Sequence, residues 1–262
     1  MTDDPQRSSV ADRFNNMHAV RLGSAVLDRI HRTAFGDDYP EDTHMNGFYS
    51  LTTLEWLCVA LRLAPGSTLV DLGCGHGGTG LWISGRTGAD LIGIDLSPVG
   101  VDLAREQATR LGLADRARFQ VGDLTNTGLP DASCDAVLSL DVLAFVPDKA
   151  AAAREFARIL RSGGLLGFTS WEQVGYSARL GAEQCADHRP LLDAAGFTIE
   201  ADDEPPEWQR HHRSLAEGFI AAEHEMSGEM EVAVAARWAE MGRGVLADMP
   251  VRRYVRVVAQ KK

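Results

Sequence analysis

The chain has 262 residues, 45% hydrophobic and 24% charged, with 26 Lys and Arg against 37 Asp and Glu, a formal net charge of −11. That length suits one sizeable domain, or a core with a lid. The acid excess argues against a sequence-independent nucleic-acid binder, which needs a basic face to displace counterions. No apolar run approaches the ~20 residues of a membrane span. The start, Met1-Thr2-Asp3-Asp4-Pro5, lacks the basic-then-apolar pattern of a secretory signal. Cys58, Cys74, Cys134 and Cys185 are widely spaced and form no CxxC pair. A cytoplasmic protein with reduced thiols and no metal site is expected.

In chain order, residues 1–46 are polar with scattered apolar positions and are expected to be helical. Thr52 and Glu55 have capping-box spacing, with Leu51 and Trp56 as a hydrophobic staple, so a helix to about Leu63 is predicted. From Thr68 onward short apolar strands alternate with helices. Strands are predicted over 68–72, 89–94, 117–121, 135–140 and 165–169. Ser97 is a natural N-cap with Pro98 at the first helical position, and Gly112 closes that helix. Pro147 opens a helix to Arg161. Strands alternating with helices imply parallel strands with covered faces. A helix at 189–195, a strand at 197–202, a helical stretch at 207–247 broken near Gly228, and a last strand at 251–259 complete the reading.

The strongest signal is Val70-Asp71-Leu72-Gly73-Cys74-Gly75-His76-Gly77-Gly78. Glycines straight after a buried strand allow a tight turn and close approach of a ligand, and the next helix offers free N–H groups. Gly73-x-Gly75-x-x-Gly78 also fits the dinucleotide fingerprint, so this pattern alone does not choose a cofactor. Asp71, Asp95 and Asp123 sit at three successive strand ends. Asp95 is placed to accept both ribose hydroxyls, and Asp123 an exocyclic amine, with Leu124 against a purine. Three acids there suit a cationic nucleoside.

This constellation resembles the class I S-adenosylmethionine-dependent methyltransferases over about residues 68–171. Asp71-x-Gly73-x-Gly75-x-Gly77 matches the glycine motif, Ile92-Gly93-Ile94-Asp95-Leu96-Ser97 the ribose motif, and Gly122-Asp123-Leu124 the adenine motif. Residues 129–137 look like the approach to the family's fourth strand, and 155–164 like the turn before its fifth. A looser likeness, to small-molecule enzymes of bacterial secondary metabolism, rests on the N-terminal lid and the late helical insertion.

The resemblance implies a Rossmann-like, doubly wound α/β sheet of seven strands, mostly parallel with the last antiparallel. It implies S-adenosylmethionine as cofactor. The expected divisions are a helical lid and first core helix (1–64), the cofactor-binding core (65–206), a helical substrate cap (207–249) and the last core strand (250–262). Asp71, Gly73, Cys74, Gly75, Gly77, Asp95, Leu96, Ser97, Gly122, Asp123, Leu124, Leu140, Asp141 and Tyr49 are the expected cofactor positions.

Methyl transfer to a hydroxyl usually wants a base; a nucleophilic carbon, sulfur or neutral amine wants less. Asp141-Val142-Leu143-Ala144-Phe145 lacks the histidine that some relatives carry after the fourth strand. Ser170-Trp171-Glu172-Gln173 lacks the Asp-Asn pair of a catechol-type magnesium site. His44, Tyr49 and Glu172 are the candidate catalytic groups, with Glu172 expected on the substrate side. His76 reads as a loop residue. His211, His212 and His224 read as solvated helix residues, because adjacent histidines face different sides of a helix. Phe145, Trp171, Tyr176, Trp208 and Phe219 are expected to line an apolar acceptor pocket, joined by Met226 and Met230. The expected partner is a small, largely apolar or aromatic acceptor, with no nucleic acid and no membrane. The N-terminal helices are a candidate homodimer surface. The alternatives are a non-catalytic cofactor-binding or scaffold protein and an NAD-dependent oxidoreductase.

Overall fold

A computed structural model describes residues 5–177, 179–180 and 185–262; residues 1–4, read above for a secretory pattern, lie outside them. The strands are β1 (Thr68–Leu72), β2 (Asp90–Asp95), β3 (Ala117–Val121), β4 (Cys134–Leu140), β5 (Leu160–Gln173), β6 (Phe197–Asp203) and β7 (Arg252–Lys261). They form one sheet in the order β3-β2-β1-β4-β5-β7-β6. The pairs from β3 through β5 are parallel, and β7 runs antiparallel to both β5 and β6. β1 and β4 are almost wholly buried, as apolar strands covered on both faces must be. The strand order reverses between β1 and β4, and the crevice at their C-terminal ends is where such a sheet binds ligands.

The helices are α1 (Pro5–Arg21), α2 (Ala25–Phe35), α3 (Leu51–Ala60), α4 (Gly78–Thr87), α5 (Pro98–Arg110), α6 (Lys149–Ile159), α7 (Arg189–Ala194), α8 (Trp208–Ala221), α9 (Glu223–Met226) and α10 (Val232–Asp248). α1 packs on α5, and α2 packs on α8. The buried Arg21 ties this lid together. Its Nε donates to the Met45 carbonyl at 2.8 Å, and Nη1 lies 3.3 Å from Asp28 Oδ1.

Several elements differ from expectation for local reasons. α3 is capped by Ser50, whose Oγ accepts the Thr53 N–H, so it starts before Thr52 and ends at Ala60. The Thr52 N–H instead donates to Asp38. β5 is longer than predicted because its ladder with β7 runs from Leu165↔Gln260 to Gln173↔Arg252. His211 and His212 are buried rather than solvated, since α8 is wedged between the sheet end and α2; His224 is exposed.

Candidate active site

The Gly73–Gly77 turn leaves β1 with positive φ at Gly73 (+78°) and Gly75 (+51°), a region that favours glycine. A Cβ on Gly73 would fall 2.4 Å from Val142 Cγ2, and one on Gly75 2.6 Å from His18 Cε1. The turn is therefore enclosed on both sides. Asp95, at the end of β2, locks its shape: Oδ2 accepts the Gly75 N–H and Oδ1 the Ser97 N–H, both at 2.8 Å. Ser97 then caps α5 through the Gly100 N–H.

These groups open into a cavity of about 170 Å³. Gly73, Cys74, Gly75, Asp95, Leu96 and Leu124 line one end, with Tyr49, Leu140 and Asp141 at the strand ends. Phe145 and Trp171 form walls further out. Of the remaining cofactor candidates, Gly77, Ser97 and Gly122 shape the surrounding turns rather than line the cavity. Asp123 is also outside the lining, and its Oδ1 accepts from the Thr125 N–H and hydroxyl at 2.7 Å. Asp71 is buried beneath the loop. Burial, with the nearby Asp95, outweighs the Gly80 N–H and pushes its carboxyl up to about 7.

The expected catalytic trio does not converge. Tyr49 lines the cavity and is buried, and burial raises its phenol well above the usual range, so it stays protonated. His44 does not line the cavity; its Nδ1 lies 3.9 Å from Asp28 Oδ1, on the lid. Glu172 is not on the substrate side. Trp171 faces the cavity, so strand alternation sends Glu172 to the other face. There Oε1 accepts from the His188 N–H and from its Nδ1, both at 2.8 Å, and Arg253 lies 3.4 Å from Oε2. Three acceptor-pocket candidates are likewise elsewhere. Tyr176 is 86% exposed. Trp208 packs on Trp171, His212 and Tyr254, and Phe219 on Trp238 and His31. Met226 is fully buried in the core and Met230 packs against it.

The lid contributes residues that the sequence reading passed over. Phe14, Met17 and His18 from α1, and Met241 from α10, line the cavity. Asn46 Nδ2 lies 3.1 Å from His18 Nδ1, so the amide donates there and the imidazole proton sits on Nε2. Phe14, Met17 and His18 share the i, i+3, i+4 spacing of one helix face, which was the available signal.

A family model described as a methyltransferase domain matches residues 70–168. Over 157 residues the chain is 33% identical to the methyltransferase GfsG of Streptomyces halstedii, covering 60% of this chain and 55% of that one. Residues 70–168 thus carry the sequence pattern of a methyltransferase domain. Around this methyltransferase domain the fold is shared more widely. The [4+2]-cyclase SpnF superposes with a TM-score of 0.70 at 26% identity, covering 80% of each chain. Geranyl diphosphate C-methyltransferase of Streptomyces coelicolor A3(2) superposes over 100% of each chain with a TM-score of 0.67 at 17% identity. The chain spans about half of the GfsG sequence and 32% of a tocopherol O-methyltransferase from Arabidopsis thaliana. Among the described residues no helix is long and apolar enough to cross a membrane.

Proposed function

We propose that the protein transfers a methyl group from S-adenosylmethionine to a small, largely apolar acceptor. The observation that carries this is the Asp95 carboxylate, held by two backbone N–H groups at the cavity wall beside the glycine turn. The polar groups around it suit a cationic, donor-rich cofactor. Asp71 Oδ2, Asn46 Oδ1 and His76 Nδ1 are buried and have no hydrogen-bond partner among the described residues. Burial lowers His76 to about 3, so the ring is neutral, and its Nε2–H donates to the Thr43 carbonyl, leaving Nδ1 as an acceptor. Of these residues Asn46 and His76 line the cavity, where their orphaned atoms are acceptors, and Asp95 keeps lone pairs for ribose hydroxyls.

When bound, S-adenosylmethionine supplies a methyl group on a good sulfonium leaving group. The chain's own residues align and enclose. Leu96 and Leu124 present apolar faces to a purine, and Phe14, Met17 and His18 cover the turn from α1 and exclude water. Phe145, Trp171 and Met241 hold the acceptor. Among the described lining groups no base is set against the acceptor walls. Tyr49 stays protonated, His18 lies on Gly75, and both Asp141 oxygens already accept hydrogen bonds. The rate then rests on alignment in a dry pocket, for which effective molarities are large. Tyr49 acts as a donor or a wall.

A second reading, a cofactor-binding protein that does not methylate, is favoured by the likeness to SpnF, a cyclase of the same fold. We also take residues 65–206 as the cofactor core and 207–249 as the cap, a cytoplasmic location, and pairing of copies through α1 and α2 as readings of the same kind. Incubation with S-adenosylmethionine and a panel of apolar phenols and polyenes, read by mass spectrometry, tests the activity. A product heavier by one methyl group supports it. Tight S-adenosylhomocysteine binding with no product across the panel favours the second reading, and NAD binding alone contradicts both.

A further inference from the structure

A side pocket of about 40 Å³ opens between α1 and α10, and shares Arg13, Met17 and Met241 with the main cavity. Arg237 and Trp238 from α10 complete its polar character. Among the described residues neither Arg13 nor Arg237, both exposed, has a carboxylate within ion-pair distance, so both are free to meet an anion. Arg13 is held over the aromatic wall, with Cζ 5.5 Å from the centre of the Phe145 ring. Trp238 is 3% exposed, and its Nε1, which can only donate, is buried with no acceptor among the described residues.

Arg13, Arg237 and Trp238, whose indole N–H is orphaned, therefore line one pocket where an otherwise apolar cavity meets the helix pair. A buried donor without an acceptor is costly, and guanidinium groups on the same pocket suit an anion. We propose that the acceptor carries an anionic group, a carboxylate or a phosphate, that docks between Arg13, Arg237 and Trp238 Nε1 while its apolar body lies in the main cavity. This rests on reading that cavity as the acceptor pocket. Both arginines are partly in solvent, so the gain over a neutral acceptor is about fivefold and weakens with salt.

The test uses the full chain, with and without S-adenosylhomocysteine, and three probes of one chain length: dodecanoate, dodecyl phosphate and dodecanol. Binding is followed by tryptophan fluorescence below the micellar range. One or both anions should bind about fivefold more tightly than the alcohol, and whichever does so identifies the group. The Arg13→Gln/Arg237→Gln double variant should bind all three alike, Trp238→Phe should lose part of the preference, and Arg62→Gln, a distant surface control, should keep it. Equal binding of alcohol and anions by the wild type overturns the proposal, as does a preference that survives in the double variant. Melting curves report whether each variant is folded. Calorimetry with S-adenosylhomocysteine on the same samples reads the cofactor site separately, so its failure overturns the methyl-transfer reading and leaves the anion result to be judged alone.

Discussion

The phenol of Tyr254 donates to Asp141 Oδ1 at 2.6 Å, while Asp141 Oδ2 accepts the Phe48 N–H at 2.5 Å. The Thr169 hydroxyl adds a third bond at 2.9 Å. One carboxylate thus joins the end of β4 to β5, β7 and the lid. Replacing Asp141 with Ala strands the Tyr254 hydroxyl and the Phe48 N–H in a dry site. We expect a loss of about 3 kcal/mol in urea denaturation, with faster amide exchange at Phe48. Tyr254→Phe should cost about 1 kcal/mol and leave Phe48 protected.

The glycine turn gives a sharper steric prediction. Gly75→Ala places a methyl group 2.6 Å from His18 Cε1 at a φ of +51°. The left-handed backbone alone costs about 1–2 kcal/mol, and His18 must leave Asn46. The variant should fold with a lower melting temperature and bind S-adenosylhomocysteine at least about tenfold more weakly, a loss of ~1.4 kcal/mol. Wild-type affinity in a folded variant contradicts the packing of α1 over the turn.

Three buried histidines set an acid limit. Burial, aided by Arg21 at His31 and by His18 at His76, lowers His31, His76 and His212 each to about 3 from an ordinary 6.5. The unfolded chain takes up these protons first. Their contribution to stability is complete above about 6.5 and is lost as pH falls toward 3, at up to ~1.4 kcal/mol per pH unit for each. Melting temperature should fall steeply below pH 6, and His212→Phe should flatten that slope. A slope unchanged by the substitution contradicts a neutral, buried His212.

The Glu172–His188 pair carries the opposite sign on its histidine side. Burial pulls His188 down, but the Cys185 sulfur and the Glu172 carboxylate outweigh it and raise the ring to about 9. Glu172 is lowered despite burial by its bonds to His188 and the nearby Arg253. The histidine contribution is full below 6.5 and fades as pH rises through about 9, while that of Glu172 is full above 4.5 and fades as pH falls. His188→Gln should therefore destabilise the protein more at pH 6 than at pH 9.5 in parallel thermal melts.

The Gly73–Gly77 turn, the Ser97 cap and the Asp95 position were readable because each is a local device whose chemistry stands in consecutive residues. The seven-stranded, mostly parallel sheet with an antiparallel last strand followed from the methyltransferase resemblance. The tertiary partners were hidden. Phe14, Met17 and His18 share one face of α1, but the helix is otherwise polar, so that spacing alone did not say which surface it covers. Glu172 was misplaced because strand alternation sorts it from Trp171 only once one of them has a known face. Trp208 and Phe219 carry the helical spacing shared by core and pocket residues, and here the core claimed both.

Titration of the protein with S-adenosylhomocysteine by calorimetry, with NAD in parallel and repeated on Asp95→Ala, is the decisive measurement of cofactor binding. One S-adenosylhomocysteine site, no NAD binding, and at least about tenfold weaker affinity in the variant are expected, because charge-assisted hydrogen bonds of about 1.5–3 kcal/mol are removed. NAD binding in place of S-adenosylhomocysteine, or an affinity unchanged by the loss of the Asp95 carboxylate, contradicts the cofactor assignment.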